Sequence, residues 1–467
     1  MQKSAGFTIN QLDYSKKVSE CVSGEIVAKQ GDLFLVLNIP KLSEKENKFF
    51  GKVLEELKHS NTKIEARRDV YFFLKNYCLE SLVLLPKEQR EKMLQLLEWE
   101  SLGESVLTPL LKDPDFEEII VNGPNKEIMV YHSTFGWLRT NVFFDSEEKI
   151  KNIVNKMAAP LGRQLSFHTP MVNAVLADGS RLNASIYPVA FSGINVTIRK
   201  FKENPLTPIN LIDFGTISRE AMAFLWLAMQ TSSSILICGN TGSGKTTTLN
   251  SLFCFLPPKE RIIIVEETPE LMPPQHHLIK MNTAEKLKIG LDKLIENTFR
   301  MRPDRVIVGE IRGKEEAKAF IDTMLAGQAR GSYCTFHAES AKEALERLVS
   351  FGIEERALAS LDLIVVQKRQ EKIEKSGARR EERKVTEISE VIQKENSLQL
   401  KTLYSFSYEK NKLEKKEETV RVLEKIARAF STNEKETKKL LKQKEKLLKN
   451  LDSRTSFREF FEIIERE

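Results

Sequence analysis

Three features of the sequence predict an α/β fold preceded by an α+β segment and followed by a helical tail. Between Ile235 and Leu325, short continuous apolar runs alternate with amphipathic helical stretches. That alternation marks a sheet covered on both faces. The glycine-rich segment Gly239-Asn240-Thr241-Gly242-Ser243-Gly244-Lys245-Thr246 sits between one such run and one such helix. Upstream the strand-like and helix-like runs follow no regular order, and beyond Ser431 the pattern is helical.

In chain order, Leu33–Leu37 reads as a strand and Phe72–Leu84 as an amphipathic helix, with Phe72, Phe73 and Tyr77 spaced for its core face. Ile119–Val121 reads as a strand leading to the turn Asn122-Gly123-Pro124; Ile128–Tyr131 is the next strand. A helix over Glu147–Met157 and strands at Leu182–Ile186 and Asn195–Ile198 complete that part. Pro205 and Pro208, among polar residues, predict a linker over Phe201–Leu211. Strands follow at Ile235–Cys238, Ile262–Val265 and Val306–Val308. One helix carries Leu249, Leu252, Phe253 and Leu256 and stops at Pro257-Pro258; another carries Ala317, Phe320, Ile321, Met324 and Leu325 on one side. Glu371–Lys384 reads as an exposed charged loop, then Val385–Ile392 and Leu398–Phe406 as a hairpin. Ser431-Thr432-Asn433-Glu434 fits a capping box opening a helix with Leu440, Leu441, Leu447, Leu448 and Leu451 inside and a lysine-rich solvated face. The domains expected are 1–109, a variable N-terminal region; 110–200, α+β; 201–211, linker; 212–395, α/β; and 396–467, hairpin and helical tail.

Composition excludes several classes. With 467 residues, 41% hydrophobic, the chain can bury a large core. The apolar run Ala221–Met229 ends at Gln230, short of the ~18 residues that span a bilayer. No secretory signal is read at the N-terminus. Five unpaired-looking cysteines argue against a disulfide framework or a four-cysteine zinc site and fit a reducing cytosol. The net charge of +6 is too small to argue for nucleic acid by itself.

The glycine-rich segment matches GxxxxGK[ST] in the strand–loop–helix context the motif requires. Its glycines let backbone N–H groups turn toward phosphate oxygens, and the helix N-terminus adds its positive dipole end. Gly239, Asn240, Thr241, Gly242, Ser243, Gly244, Lys245, Thr246 and Thr247 form the expected ATP-binding set. Lys245 can reach the terminal phosphates, and the Thr246 hydroxyl can hold Mg²⁺. Such a loop needs an acid at a neighbouring strand end, and Glu266-Glu267 and Glu310 are the candidates. His276-His277 has no third ligand nearby and reads as a loop rather than a metal site.

These segments resemble the type II/type IV secretion ATPase superfamily over about Leu110–Phe351, and more weakly from Val385 to the C-terminus. Beside the phosphate loop, Ile264–Leu271 is similar to the family's Asp box, with Glu267 where Asp is usual. Arg302–Gly313 is similar to its Walker B, with Gly309-Glu310 for Asp-Glu, and Gly331–Ser340 to its His box. Asp178–Asn183 and Thr197–Phe201 also look like family motifs, and the latter with Leu111–Gly123 most resembles the archaeal branch.

The resemblance implies a RecA-like P-loop ATPase domain. The expected mechanism has Glu310 orient the water or the Mg²⁺ shell, Glu267 assist, and His337 sense the γ-phosphate. Arg181 and Arg199 would neutralise transition-state charge. Arg300, Arg302 and Arg312 are phosphate or interface candidates, Arg312 equally an ion-pair partner of Glu310. The implied protein is a homo-oligomer, a hexamer, working on a membrane platform protein of a pilus or secretion system. It would sit in the cytoplasm at the inner face of the cell membrane. Nucleic acid is not an expected partner; a P-loop motor acting on it is the alternative reading, and a non-hydrolysing nucleotide-binding scaffold a further one.

Overall fold

A computed structural model describes residues 2–466 except 5–6, 11, 13, 15, 30–31, 61, 202–203, 285–286, 328, 374–378 and 395–396. The chain forms two compact units, Met1–Lys202 and Glu203–Glu467.

In the first unit, strands from both sides of residue 110 join one sheet. Its main path runs Lys16–Cys21, Gly24–Lys29, Asp32–Leu37, Gly136–Phe144, Glu127–His132, Phe116–Val121, Asn195–Arg199, Arg181–Ser185 and Met171–Val175. Asp32–Leu37 pairs in parallel with Gly136–Phe144, so the segments 1–109 and 110–200 share a sheet. They share a core too, in which Leu35, Val70 and Leu97 join Ile119, Val142 and Ile198. The helix expected over Phe72–Leu84 runs Arg67–Glu80 and buries Val70 and Leu74. Phe72 is exposed, against expectation, because two residues at about 100° each place it on the far side from Val70. Phe73 and Tyr77 do pack on the core.

The second unit is built on a sheet ordered Leu278–Asn282, Ile262–Glu266, Arg305–Ile311, Gly331–Phe336, Ile235–Cys238, Leu363–Ile373, Arg379–Lys394, Ser397–Ser407, Lys412–Lys415. The strands up to Leu363–Ile373 are parallel; the rest are antiparallel. Every residue of Ile235–Cys238 is buried, as a central strand covered on both faces requires.

The apolar run Ala221–Met229 is the buried part of helix Arg219–Met229. Its Trp226 stacks on Phe255 at 4.9 Å between ring centroids. The Lys444 ammonium, from the tail helix Glu434–Asn450, lies 4.3 Å from the Trp226 ring centroid. The tail is therefore part of this unit's core rather than an appendage.

Three further sequence expectations change. Most of Glu371–Lys384 is not a loop: Gln367 to Ile373 pairs antiparallel with Val385 to Arg379, and residues 374–378 of the expected loop lie outside the described residues. The capping box of the tail helix is Asn433 with Glu436, two positions later than expected, because Ser431 ends the preceding helix with φ of 51°. The expected linker Phe201–Leu211 is helical from Pro208, with Thr207 capping Pro208–Asp213; its residues 202–203 lie outside the described residues. Leu211 is buried, so this end of the stretch is fastened to the second unit.

A buried charge cluster closes the bottom of the sheet. Asp362, fully buried, accepts from the Ser234 N–H at 2.8 Å and from Lys425 Nζ at 2.8 Å, and pairs with Arg421 Nε at 3.0 Å. Removing one member of such a cluster strands the others. Asp362→Ala is expected to lower stability by about 3 kcal/mol, read as a lower urea midpoint; an unchanged midpoint would contradict this role.

Candidate nucleotide site

The site begins where the central strand ends. Cys238 is in register with Phe336 on one side and Val366 on the other. The chain therefore emerges level with His337 and Gln367, and the Gly239 N–H donates to the Phe336 carbonyl at 3.2 Å. Gly242 and Gly244 take φ of 73° and 90°, backbone that side chains disfavour. At Gly239 a Cβ would fall 1.9 Å from the Gln367 carbonyl oxygen. The loop thus needs its glycines for conformation and for close approach.

Helix Lys245–Leu252 starts directly after the loop. Lys245 is 7% exposed; its Nζ donates to the carbonyls of Gly239 at 3.1 Å and Asn240 at 3.3 Å. It also lies 4.0 Å from Glu310 Oε1. Thr246 and Thr247 are partly exposed in the first turn.

Glu310 lies inside strand Arg305–Ile311 rather than beyond its end. A register shift between Val308 and Glu310 marks a bulge at Gly309, against strand Gly331–Phe336. Bulges re-aim side chains, and here the Thr335 hydroxyl pins the bulge by donating to the Gly309 carbonyl at 2.7 Å. Glu310 Oε1 is 2.9 Å from His337 Nε2, and Oε2 is 2.7 Å from Arg312 Nη2. Arg312 Nη1 reaches Glu267 Oε2 at 2.5 Å. Arg312 is thus the ion-pair partner of both acids, the second of the two roles the sequence left open.

The electrostatics follow from these contacts. Burial alone would raise the Glu310 carboxyl, but the hydrogen bond and charge of Arg312, with His337 and Lys245, hold it below the ordinary range. Burial lowers the His337 imidazole, Lys245 lowers it further, and Glu310 opposes them. A neutral ring with its proton on Nε2 donates to Glu310. The Arg347 guanidinium donates to the His337 carbonyl and covers the Phe336 ring at 5.1 Å, which fixes the segment after the strand.

Glu266, the other acid of the pair, points inward. Its Oε1 accepts from the N–H groups of Glu270 at 3.0 Å and Leu271 at 3.1 Å, and its methylene lies beside the empty side-chain position of Gly309. Burial pushes its carboxyl up to about 7.

The structure therefore gathers Lys245, Glu310, His337 and, through Arg312, Glu267. Arg181 and Arg199 belong to the first unit, where they face each other across paired strands, with Glu118 opposite Arg199 on the next. Phe201, from the same family-like stretch, packs over Gly179 and donates its N–H to Ser180 Oγ at 3.1 Å. Gln367, Arg369 and Arg383 reach the phosphate loop region, and their unbroken polar surroundings in the sequence give no signal of it. Among the described residues no cluster of His, Cys, Asp and Glu could hold a metal by itself, and His277 instead contacts Arg261.

The family described as Type II/IV secretion system protein matches residues 100–459. The chain is 36% identical over 319 residues to an uncharacterised protein of Methanocaldococcus jannaschii, a match covering 65% of this chain and 44% of that protein; it thus spans less than half that relative's length. It is 29% identical over 280 residues to the type IV secretion system protein VirB11 of Bartonella henselae, covering 52% of this chain and 78% of that one. Among solved structures, the VirB11 ATPase of the Brucella suis type IV secretion system is 25% identical with a TM-score of 0.31, over 60% of this chain and 91% of that one.

Glu266 makes a checkable pH effect. Folded, it keeps its proton up to about pH 7; unfolded, it releases it near 4.5. Stability from this group therefore falls as pH rises between those values, by up to about 1.4 kcal/mol per pH unit. Glu266→Gln keeps an acceptor for Glu270 and Leu271 and loses the titration. Urea unfolding at pH 5 and pH 8 should show the variant gaining on the wild type at the higher pH; a constant difference would contradict the burial argument.

Proposed function

The chain belongs to the type II/IV secretion system protein family, and on that premise we propose that it is an ATP-hydrolysing motor. It would power assembly of a pilus-like filament or protein secretion across a membrane. The observation that carries this reading is Glu310 held within reach of both the phosphate-loop lysine and His337. The residues suit a triphosphate: a loop of close-packed glycines, a buried ammonium, and a helix N-terminus lie together.

In the proposed mechanism Gly239, Asn240, Thr241, Gly242, Ser243, Gly244, Lys245, Thr246 and Thr247 hold the nucleotide. Lys245 neutralises charge on the terminal phosphates. The Thr246 hydroxyl and Glu310 would hold Mg²⁺, which when bound supplies charge neutralisation at phosphate oxygens. Glu310, kept ionised by Arg312, orients the attacking water, and Glu267 assists through the shared Arg312. His337 changes partner between Glu310 and the γ-phosphate and so reports which nucleotide is present. Arg181 and Arg199 supply guanidinium charge for the transition state.

The working form proposed is a homo-oligomer, a hexamer, docked on a membrane platform protein at the inner face of the cell membrane. Among the described residues no helix is long and apolar enough to cross a membrane.

The test is phosphate release by the purified chain, with its mass followed by light scattering with and without an ATP analogue. Lys245→Ala should abolish turnover. Glu310→Gln should still bind ATP and hydrolyse it about 100-fold more slowly or worse. Wild-type turnover in Glu310→Gln would overturn the catalytic assignment.

A further inference from the structure

The hairpin formed by Leu363–Ile373 and Arg379–Lys394 is fastened to the phosphate loop by contacts that no motif announces. The Asn240 side chain bonds both ways with the backbone of Arg369, accepting from its N–H at 3.0 Å and donating to its carbonyl at 3.2 Å. Arg383 Nε donates to the Gly242 carbonyl at 3.0 Å. Below the loop, the Thr248 hydroxyl donates to Gln367 Oε1 at 2.6 Å. Across the hairpin, Arg369 Nε pairs with Glu381 Oε2 at 2.9 Å, so the two arms hold each other at this height.

These contacts act on one peptide. The carbonyl of Gly242 is held by Arg383, and the N–H on the other end of that peptide, from Ser243, donates to the Asn240 carbonyl at 3.3 Å. Asn240 is in turn held by Arg369. A glycine-rich turn loses more conformational freedom on ordering than any other kind. Fixing it before ligand arrives removes that cost from binding.

We infer that this hairpin is the positioning element of the nucleotide site, and that Arg383 is the positioning residue through which it sets affinity for ATP. The inference rests on the nucleotide function proposed above. Arg383 acts through the loop, so its loss weakens binding more than it slows the bound complex. A hydrogen bond from a charged donor is stronger than one between neutral groups.

Arg383→Ala and Arg383→Lys are compared with wild type for ATP hydrolysis, for thermal midpoint, and for hydrogen exchange of amides 240–244 without nucleotide. Arg383→Ala should raise KM for ATP about tenfold, or about 1.4 kcal/mol, with a smaller effect on kcat. The loop amides should exchange faster in the nucleotide-free variant. Arg383→Lys, which keeps a charged donor, should recover most of both effects; Arg383→Met, which keeps the bulk without the donor, replaces the alanine variant if that one does not fold. Unchanged KM and unchanged exchange in folded Arg383→Ala, or in Arg383→Met in its place, would overturn the inference. A wild-type chain without ATPase activity, but with exchange at 240–244 accelerated by Arg383→Ala, would sink the nucleotide reading and leave the positioning contact standing.

Discussion

Burying the Lys245 ammonium sets the terms for everything around it. A charge removed from water is tolerated only with close partners, and here two elements supply them. The loop supplies the Gly239 and Asn240 carbonyls, strand Arg305–Ile311, the next but one in the sheet, supplies Glu310, and all three depend on where the central strand ends. Because that strand is parallel to both neighbours, their C-terminal ends stand together at one edge of the sheet. Side chains at such an edge converge on one crevice. The bulge at Gly309 then turns Glu310 toward the lysine and His337.

Charge balance in the crevice is tight. Two cations, Lys245 and Arg312, face the ionised Glu310, with Glu267 on the far side of Arg312. Burial and Lys245 keep His337 from adding a third positive charge. A ligand carrying several negative charges would change every one of these pairings, which is the physical basis for treating the cluster as a sensor as well as a catalyst. The antiparallel extension beyond Leu363 has a different task. It lays a hairpin against the loop from the side opposite His337, so that the phosphate cradle is held between two strands rather than projecting from one.

The legible parts of this molecule were those written in contiguous residues. The phosphate loop, the buried strands at Ile235–Cys238 and Ile262–Val265, and the acids after them each declare themselves within about ten residues, where periodicity and glycine spacing suffice. The hairpin did not. Its residues Lys368 to Ile373 and Arg379 to Lys384 are charged enough to read as solvated loop, and the unbroken polar run Gln367 to Lys372 offers no apolar alternation to mark a strand. Its functional contacts join residues more than a hundred positions apart, such as Asn240 with Arg369 and Gly242 with Arg383, and pairings of that range leave no local trace. The strands before Leu33 were missed for a related reason. Lys16–Cys21 has little apolar content, and its place in the sheet is set by pairing with Gly24–Lys29. The capping box was placed two residues early because Ser431 and Asn433 are both good caps, and only the left-handed turn at Ser431 decides between them.

The most direct test is a structure of the chain with a non-hydrolysable ATP analogue bound. The account predicts the terminal phosphate within hydrogen-bonding distance of Lys245 Nζ and His337, with Glu310 one water molecule away and no longer paired with the imidazole. A triphosphate seated away from the Gly239–Thr247 loop, or Glu310 still closed against His337 with the nucleotide in place, would contradict it.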